Sequence, residues 1–97
     1  MIEQGDIWTA DLHEDVRRLV LVVSVARFHQ LSERVVVAPQ LFGGPDEVPF
    51  PWRVEVDDAV FAVDLLRSIP VGLLLERVGR ATPSAMQQVQ RVTRNIL

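Results

Sequence analysis

The sequence predicts a mainly β fold, a small barrel followed by one C-terminal α-helix. Three observations carry this. Short segments of strand-like alternation or unbroken apolar character recur at regular spacing, separated by turn residues. One of them, "LVLVVSV" (Leu19–Val25), is apolar on both faces, as a strand inside a sheet must be. Only the final stretch, after Thr82, carries helical periodicity. With 97 residues, 48% of them hydrophobic, the chain is expected to form one domain over 1–97 with enough apolar side chains for a core.

The first strand is read in "IWTADL", where Ile7, Thr9 and Asp11 alternate with Trp8, Ala10 and Leu12. "HEDVRR" connects it to the central strand. "ARFHQLSER" reads as polar and irregular. "RVVVAPQL" (Arg34–Leu41) is a third strand, and Pro39 within it implies an edge, an end or a bulge. "FGGPDEVPFP" is loop, by its glycines and prolines. "WRVEVDD" alternates and stops at an Asp57–Asp58 turn, which would pair it as a hairpin with the start of "AVFAVDLLRSIP", itself one or two short strands. "VGLLLERVGRA" reads as a helical turn and then a strand. Thr82 is an N-cap with Pro83 in the first helical position. Met86, Val89, Val92 and Ile96 then mark one helix face, and Gln87, Gln88, Gln90, Arg91 and Arg94 the other.

Composition narrows the chemistry. No cysteine means no disulfide, no thiolate metal site and no cysteine nucleophile. With two histidines and no cysteine, no zinc site is expected, and no cofactor is implied. Gly43 and Gly44 lack the following Lys-Ser/Thr and helix of a phosphate-cradling loop. No apolar run approaches the roughly 20 residues that span a bilayer, and "MIEQGDIW" has no signal-peptide pattern. A cytoplasmic location without membrane contact is the expectation. All ten basic residues are arginine, which suits phosphate forks and partly buried pairs, although genomic base composition accounts for the absence of lysine as readily. The net charge of −3 argues against a general nucleic-acid binder, though a local basic groove remains compatible with it.

Four segments, in order, resemble the MazF/PemK toxins of type II toxin–antitoxin modules. "QGDIWTADL" resembles that family's opening strand, and "RRLVLVVS" its Arg-Arg-Pro-apolar-Ser segment. "VDLLRSIP" resembles its Ala-Asp-Gln-apolar-Arg-Ser segment, and "ERVGRATPSAMQQVQ" its last strand and helix. The resemblance implies an SH3-like (CcdB/PemK-like) barrel, a homodimer, and a cognate antitoxin lying in the substrate groove. It implies a metal-independent endoribonuclease that cuts single-stranded RNA by attack of the 2′-OH. The related CcdB branch instead inhibits gyrase through a Trp-Gly-Ile ending, where this chain has "RNIL".

Carried over residue by residue, the resemblance makes Arg18 the catalytic arginine. Its planar fork could hold two oxygens of the pentacoordinate phosphorane. The other reading is a surface arginine paired with Glu14 or Asp15. Arg17 is a substrate-contact candidate. The family's threonine after Pro-apolar falls at Leu41, which cannot donate a hydrogen bond; either Gln40 takes its place or the group is lost. The first loop is short and places His13 and Glu14 beside the site. His13 could shuttle protons or be an exposed loop residue. Glu14 could be a base partner or the ion pair of Arg18. Phe28 and His29 could stack on an unpaired base, unless Phe28 merely anchors its loop. Ser24 reads mainly as a loop-fixing hydroxyl. Trp8 and Trp52 read as core or interface, and Asp64 with Arg67 as a supporting hydrogen-bonded pair. A binding module that sequesters antitoxin or pairs with a related toxin is the alternative function, with gyrase inhibition a third.

Overall fold

A strand that is apolar on both faces must be covered on both, and the rest of the chain is arranged around that demand. The computed structural model describes residues 1–42 and 52–96. The expected Gly/Pro-rich loop, with Gly43 and Gly44, lies largely outside these residues. The strands are β1 (Asp6–Ala10), β2 (Arg18–Val22), β3 (Arg34–Leu41), β4 (Arg53–Val56), β5 (Ala59–Ala62), β6 (Arg67–Pro70) and β7 (Leu74–Arg80). They form one antiparallel seven-stranded sheet in the order β4-β5-β3-β2-β1-β7, with β6 also paired to β3. The sheet curls into a half-barrel, and a C-terminal helix packs against it. The fold is mainly β and SH3-like, as expected.

The pleat sends successive side chains of β2 to opposite faces. Val20 and Val22 join Val35, Val37, Ile69 and Leu74 on one side. Leu21 joins Ile7, Val54 and Phe61 on the other, where helix α2 (Pro83–Ile96) adds Ala85, Val89 and Val92. Val20, Leu21 and Val22 are fully buried. Each such side chain contributes about 1.5–3 kcal/mol relative to exposure, so β2 is firmly anchored. The N-cap of α2 forms as read, with the Ala85 N–H donating to Thr82 Oγ1 at 3.1 Å. Ile96 lies at the exposed end of the helix rather than in the core. Trp8 and Trp52 are half-buried against the two clusters. Asp6 is buried at the β1–β7 seam, held by Arg77 Nε at 3.1 Å and the Glu3 N–H at 2.9 Å.

Three further features differ from the sequence reading. The stretch read as irregular contains helix α1 (Ala26–Ser32), closed by Glu33 in the left-handed conformation at φ 57°. Pro39 is inside a central strand, not at an edge. It is tolerated because β3 changes partner there: residues 34–37 pair with β6 and residues 40–41 with β5. The missing N–H falls at this switch. Asp64 pairs with Arg53, at 3.0 and 3.3 Å, and not with Arg67. Arg67 opens β6 opposite Val37 instead.

Candidate active site

The site grows from the start of β2. Arg18 faces Ala10 of β1, and the connection before it turns sharply. His13 adopts a positive φ of 62°. Its N–H donates to Asp11 Oδ1 at 3.0 Å, and Arg17 pairs with Asp11 Oδ2 at 3.1 Å. The His13 N–H is the largest cause of a lowered Asp11 pKa, with Arg17 adding to it against an opposing desolvation. The loop is therefore pinned by a carboxylate that stays ionised.

Arg18 is held on three sides. Its Nε and Nη2 donate to the two carboxylate oxygens of Glu14 at 2.9 and 2.7 Å. Its Nη1 donates to the backbone carbonyl of Gln40. Its guanidinium carbon lies 4.7 Å from the centre of the Phe42 ring. The side chain keeps 20% of its surface exposed. This is the fork geometry by which arginine grips two oxygens of an oxyanion. Here the oxyanion is the protein's own carboxylate.

Gln40 links this fork to a concavity. Regular β2–β3 pairing runs only from Val22↔Val37 to Val20↔Pro39. Beyond it the ladder opens, the Gln40 carbonyl turns to Arg18, and its side-chain Oε1 accepts the Leu19 N–H at 3.2 Å. Gln40 also lines a cleft of about 290 Å³ between the β4–β5 turn and β7, with Leu19, Asp57, Asp58 and Val78 among the other lining residues.

The structure thus brings together Arg18, Glu14 and Gln40. His13 precedes Glu14 and is exposed; Arg17 is exposed and committed to Asp11. Ser24, Phe28 and His29 are elsewhere. Ser24 lies six residues along the chain from Arg18, about 20 Å at strand rise, at the far end of β2. His29 is buried there. Its Nδ1 faces the Ile2 carbonyl at 3.0 Å, so Nδ1 carries the proton. Its Nε2 then accepts from the Ser24 hydroxyl at 2.6 Å, and Ser24 Oγ accepts the Val36 N–H at 2.9 Å. Every polar atom of this set is used, which leaves the His29 ring no face for a base. Leu41, which the resemblance sets at the family's threonine position, pairs with Val60. Phe42 was not among the residues singled out from sequence. The available signal was an aromatic residue directly after the Gln40-Leu41 departure. Among the described residues, no group of three or more His, Asp or Glu is placed to hold a metal ion. None of the described helices is long and apolar enough to cross a membrane.

A family model described as the PemK-like, MazF-like toxin of type II toxin–antitoxin systems matches residues 3–97. The chain belongs to the PemK/MazF toxin family. Comparison with curated protein sequences gives no match. Among solved structures, this toxin is similar to a mycobacterial endoribonuclease in complex with its cognate antitoxin, at 16% identity over 98% of this chain and 93% of that one, TM-score 0.82. It is similar to MazF in the MazE–MazF complex of Deinococcus radiodurans, at 17% identity, with coverage of 98% and 93% and a TM-score of 0.81. The Mycobacterium tuberculosis toxin MazF-mt6 gives 23% identity, coverage of 93% for both chains and a TM-score of 0.77. At these identities the likeness establishes the fold of the toxin over nearly its whole length.

Proposed function

We propose that this toxin is a metal-independent endoribonuclease that cuts single-stranded RNA by attack of a 2′-OH on the adjacent phosphate, leaving a cyclic phosphate. The single observation that carries the reading is the Arg18 fork, one-fifth exposed to solvent and already holding two oxygens of an anion. A phosphate presents the same pair of oxygens. It enters by taking the place of Glu14 on Nε and Nη2, while the Gln40 carbonyl keeps the guanidinium plane fixed. In the phosphorane the oxygens gain charge, so the fork binds the transition state more tightly than the substrate. Gln40 stands in for the absent threonine, its side-chain NH₂ donating to the phosphate while Oε1 remains on Leu19. The displaced Glu14 carboxylate is the nearest acceptor for the 2′-OH proton. His13, exposed one residue away, returns a proton to the leaving 5′-oxygen.

The same fork explains an antitoxin partner. An acidic, partly apolar antitoxin segment lying along the groove would offer Arg18 a carboxylate as Glu14 does. The toxin works as a homodimer of 97-residue domains in the cytoplasm, where its RNA substrates are. The binding-module and gyrase-inhibitor alternatives are not favoured: both leave a solvent-reachable arginine fork without a task. The test is incubation of antitoxin-free protein with a long single-stranded RNA in EDTA, followed by mapping of the ends. Discrete cuts with cyclic phosphate termini, lost in Arg18→Ala, are expected. Intact RNA at high concentration of folded protein would overturn the reading.

A further inference from the structure

The expected stacking pair, Phe28 and His29, is at the wrong end of β2, and His29 is sealed. An aromatic platform nevertheless exists at the site. Phe42 closes the described part of β3's connection, directly after Gln40 and Leu41. One face of its ring is covered by the Arg18 guanidinium at 4.7 Å, yet 57% of the residue remains exposed. With one face on the arginine, the surface still exposed lies on the rest of the residue, the second ring face and the ring edge among it. Large aromatic side chains are ordinarily withdrawn from water, and one left open beside a fork for phosphate is placed for a ligand with both an anion and a flat apolar face. A nucleotide is that ligand.

The geometry points to Phe42 as a substrate-contact residue of the same site: an unpaired base next to the scissile phosphate stacks on its open face, giving a continuous layer of base, ring and guanidinium. This rests on the nuclease reading and adds to it a specific contact. A phenyl ring has no ionisable group and takes no part in proton transfer. It contributes affinity and holds the nucleotide in register with the fork. Because every base has a π-face, the contact tolerates sequence and favours purines through their larger overlap.

The experiment uses full-length protein and a fluorescein-labelled, single-stranded 2′-O-methyl RNA dodecamer of mixed sequence, which cannot be cut. Binding is read by anisotropy for wild type, Phe42→Leu and Phe42→Trp. A parallel set of probes carries one abasic site at each position in turn. Phe42→Leu is expected to weaken binding about tenfold and Phe42→Trp to restore it, in line with the loss of one base–aromatic stack. One abasic position should weaken the wild type about tenfold and leave Phe42→Leu unchanged. A merely structural role for Phe42 would not produce that coupling. Equal binding by wild type and Phe42→Leu, or the same abasic penalties in both, overturns the inference while leaving Arg18-dependent cleavage intact. A wild type that neither binds the probe nor cuts RNA overturns the nuclease reading and this inference with it.

Discussion

The two ends of β2 carry the same kind of equipment and use it in opposite ways. At one end Ser24, His29, the Ile2 carbonyl and the Val36 N–H form a closed set in which each polar atom has its partner and the histidine is buried. At the other, Arg18, Glu14, Gln40 and Phe42 form a set that is equally well bonded but open to solvent. Residue type alone would assign the chemistry to the first, which holds a serine and a histidine 2.6 Å apart. Exposure reverses the assignment. A bond sealed in the core cannot be traded for a ligand, whereas an ion pair at the surface can, since in water it contributes little. The difference teaches that a site in this toxin is recognised by which partners can be exchanged.

Truncating Arg18 should break the comparison most severely. Arg18→Ala is expected to lower cleavage about a hundred- to a thousandfold, the usual cost of losing a group that binds the charged transition state. Its stability should fall by only about 1 kcal/mol, because Glu14 is exposed and the Gln40 carbonyl is only partly buried. RNA cleavage and urea unfolding of the same variant check both halves. A cleavage rate within a factor of about three of wild type would remove Arg18 from the mechanism.

The sealed end should respond in the opposite sense. His29→Ala leaves the Ile2 carbonyl and the Ser24 hydroxyl without their partner and opens a space under α1. Unfolding should become easier by about 2–3 kcal/mol, while cleavage per folded molecule stays unchanged. A stable variant with lost activity would move the active site to this end of the strand.

How far the sequence could draw this contrast depends on what each element shows to a one-dimensional reading. β2, β3, the β4–β5 hairpin and α2 were legible because burial imposes a period on the apolar residues. Helix α1 was not. Among its seven residues only His29 is buried, so the inward position looks polar and the apolar Phe28 and Leu31 point out. Pro39 misled because proline warns of a missing donor but cannot report that the strand changes partner at that point. Arg18 was singled out through the family pattern, and Glu14 and Gln40 through departures from it; that the three residues meet is what the structure adds. Phe42 was not legible, since the role proposed for it rests on a contact with a residue 24 positions earlier.

Two changes sharpen the comparison on the open side. Gln40→Ala should lower turnover about tenfold, since its amide replaces a single phosphate donor. It should also cost about 1 kcal/mol of stability, because the Leu19 N–H loses Oε1. An unaffected rate would mean that Gln40 serves the sheet alone. Glu14→Gln keeps the side chain's shape but removes the competing charge. Affinity for uncleavable RNA should then rise, by up to about fivefold given the modest worth of an exposed pair. Turnover should not rise with it, because the same change removes the proton acceptor. Weaker binding by this variant would mean that Glu14 holds Arg18 ready and does not compete for it.

The smallest effect separates the two ends by pH. Asp11 titrates below the ordinary carboxylate value of 3.8, chiefly because the His13 N–H donates to it. Its pKa is therefore lower folded than unfolded, so the unfolded chain binds its proton first as acid is added. The carboxylate contributes stability above 3.8, and that contribution disappears as pH falls through the folded value. Its loss frees the His13 N–H and Arg17, and so loosens the segment that carries His13 and Glu14. Wild type should then lose more stability than Asp11→Asn between about pH 5 and pH 3, measured by urea unfolding at each pH. The difference should be small, since Asp11 is on the surface. Parallel curves for the two proteins would show that the loop is held by something other than this carboxylate, and the fork at Arg18 would then owe its geometry to Glu14, Gln40 and Phe42 alone.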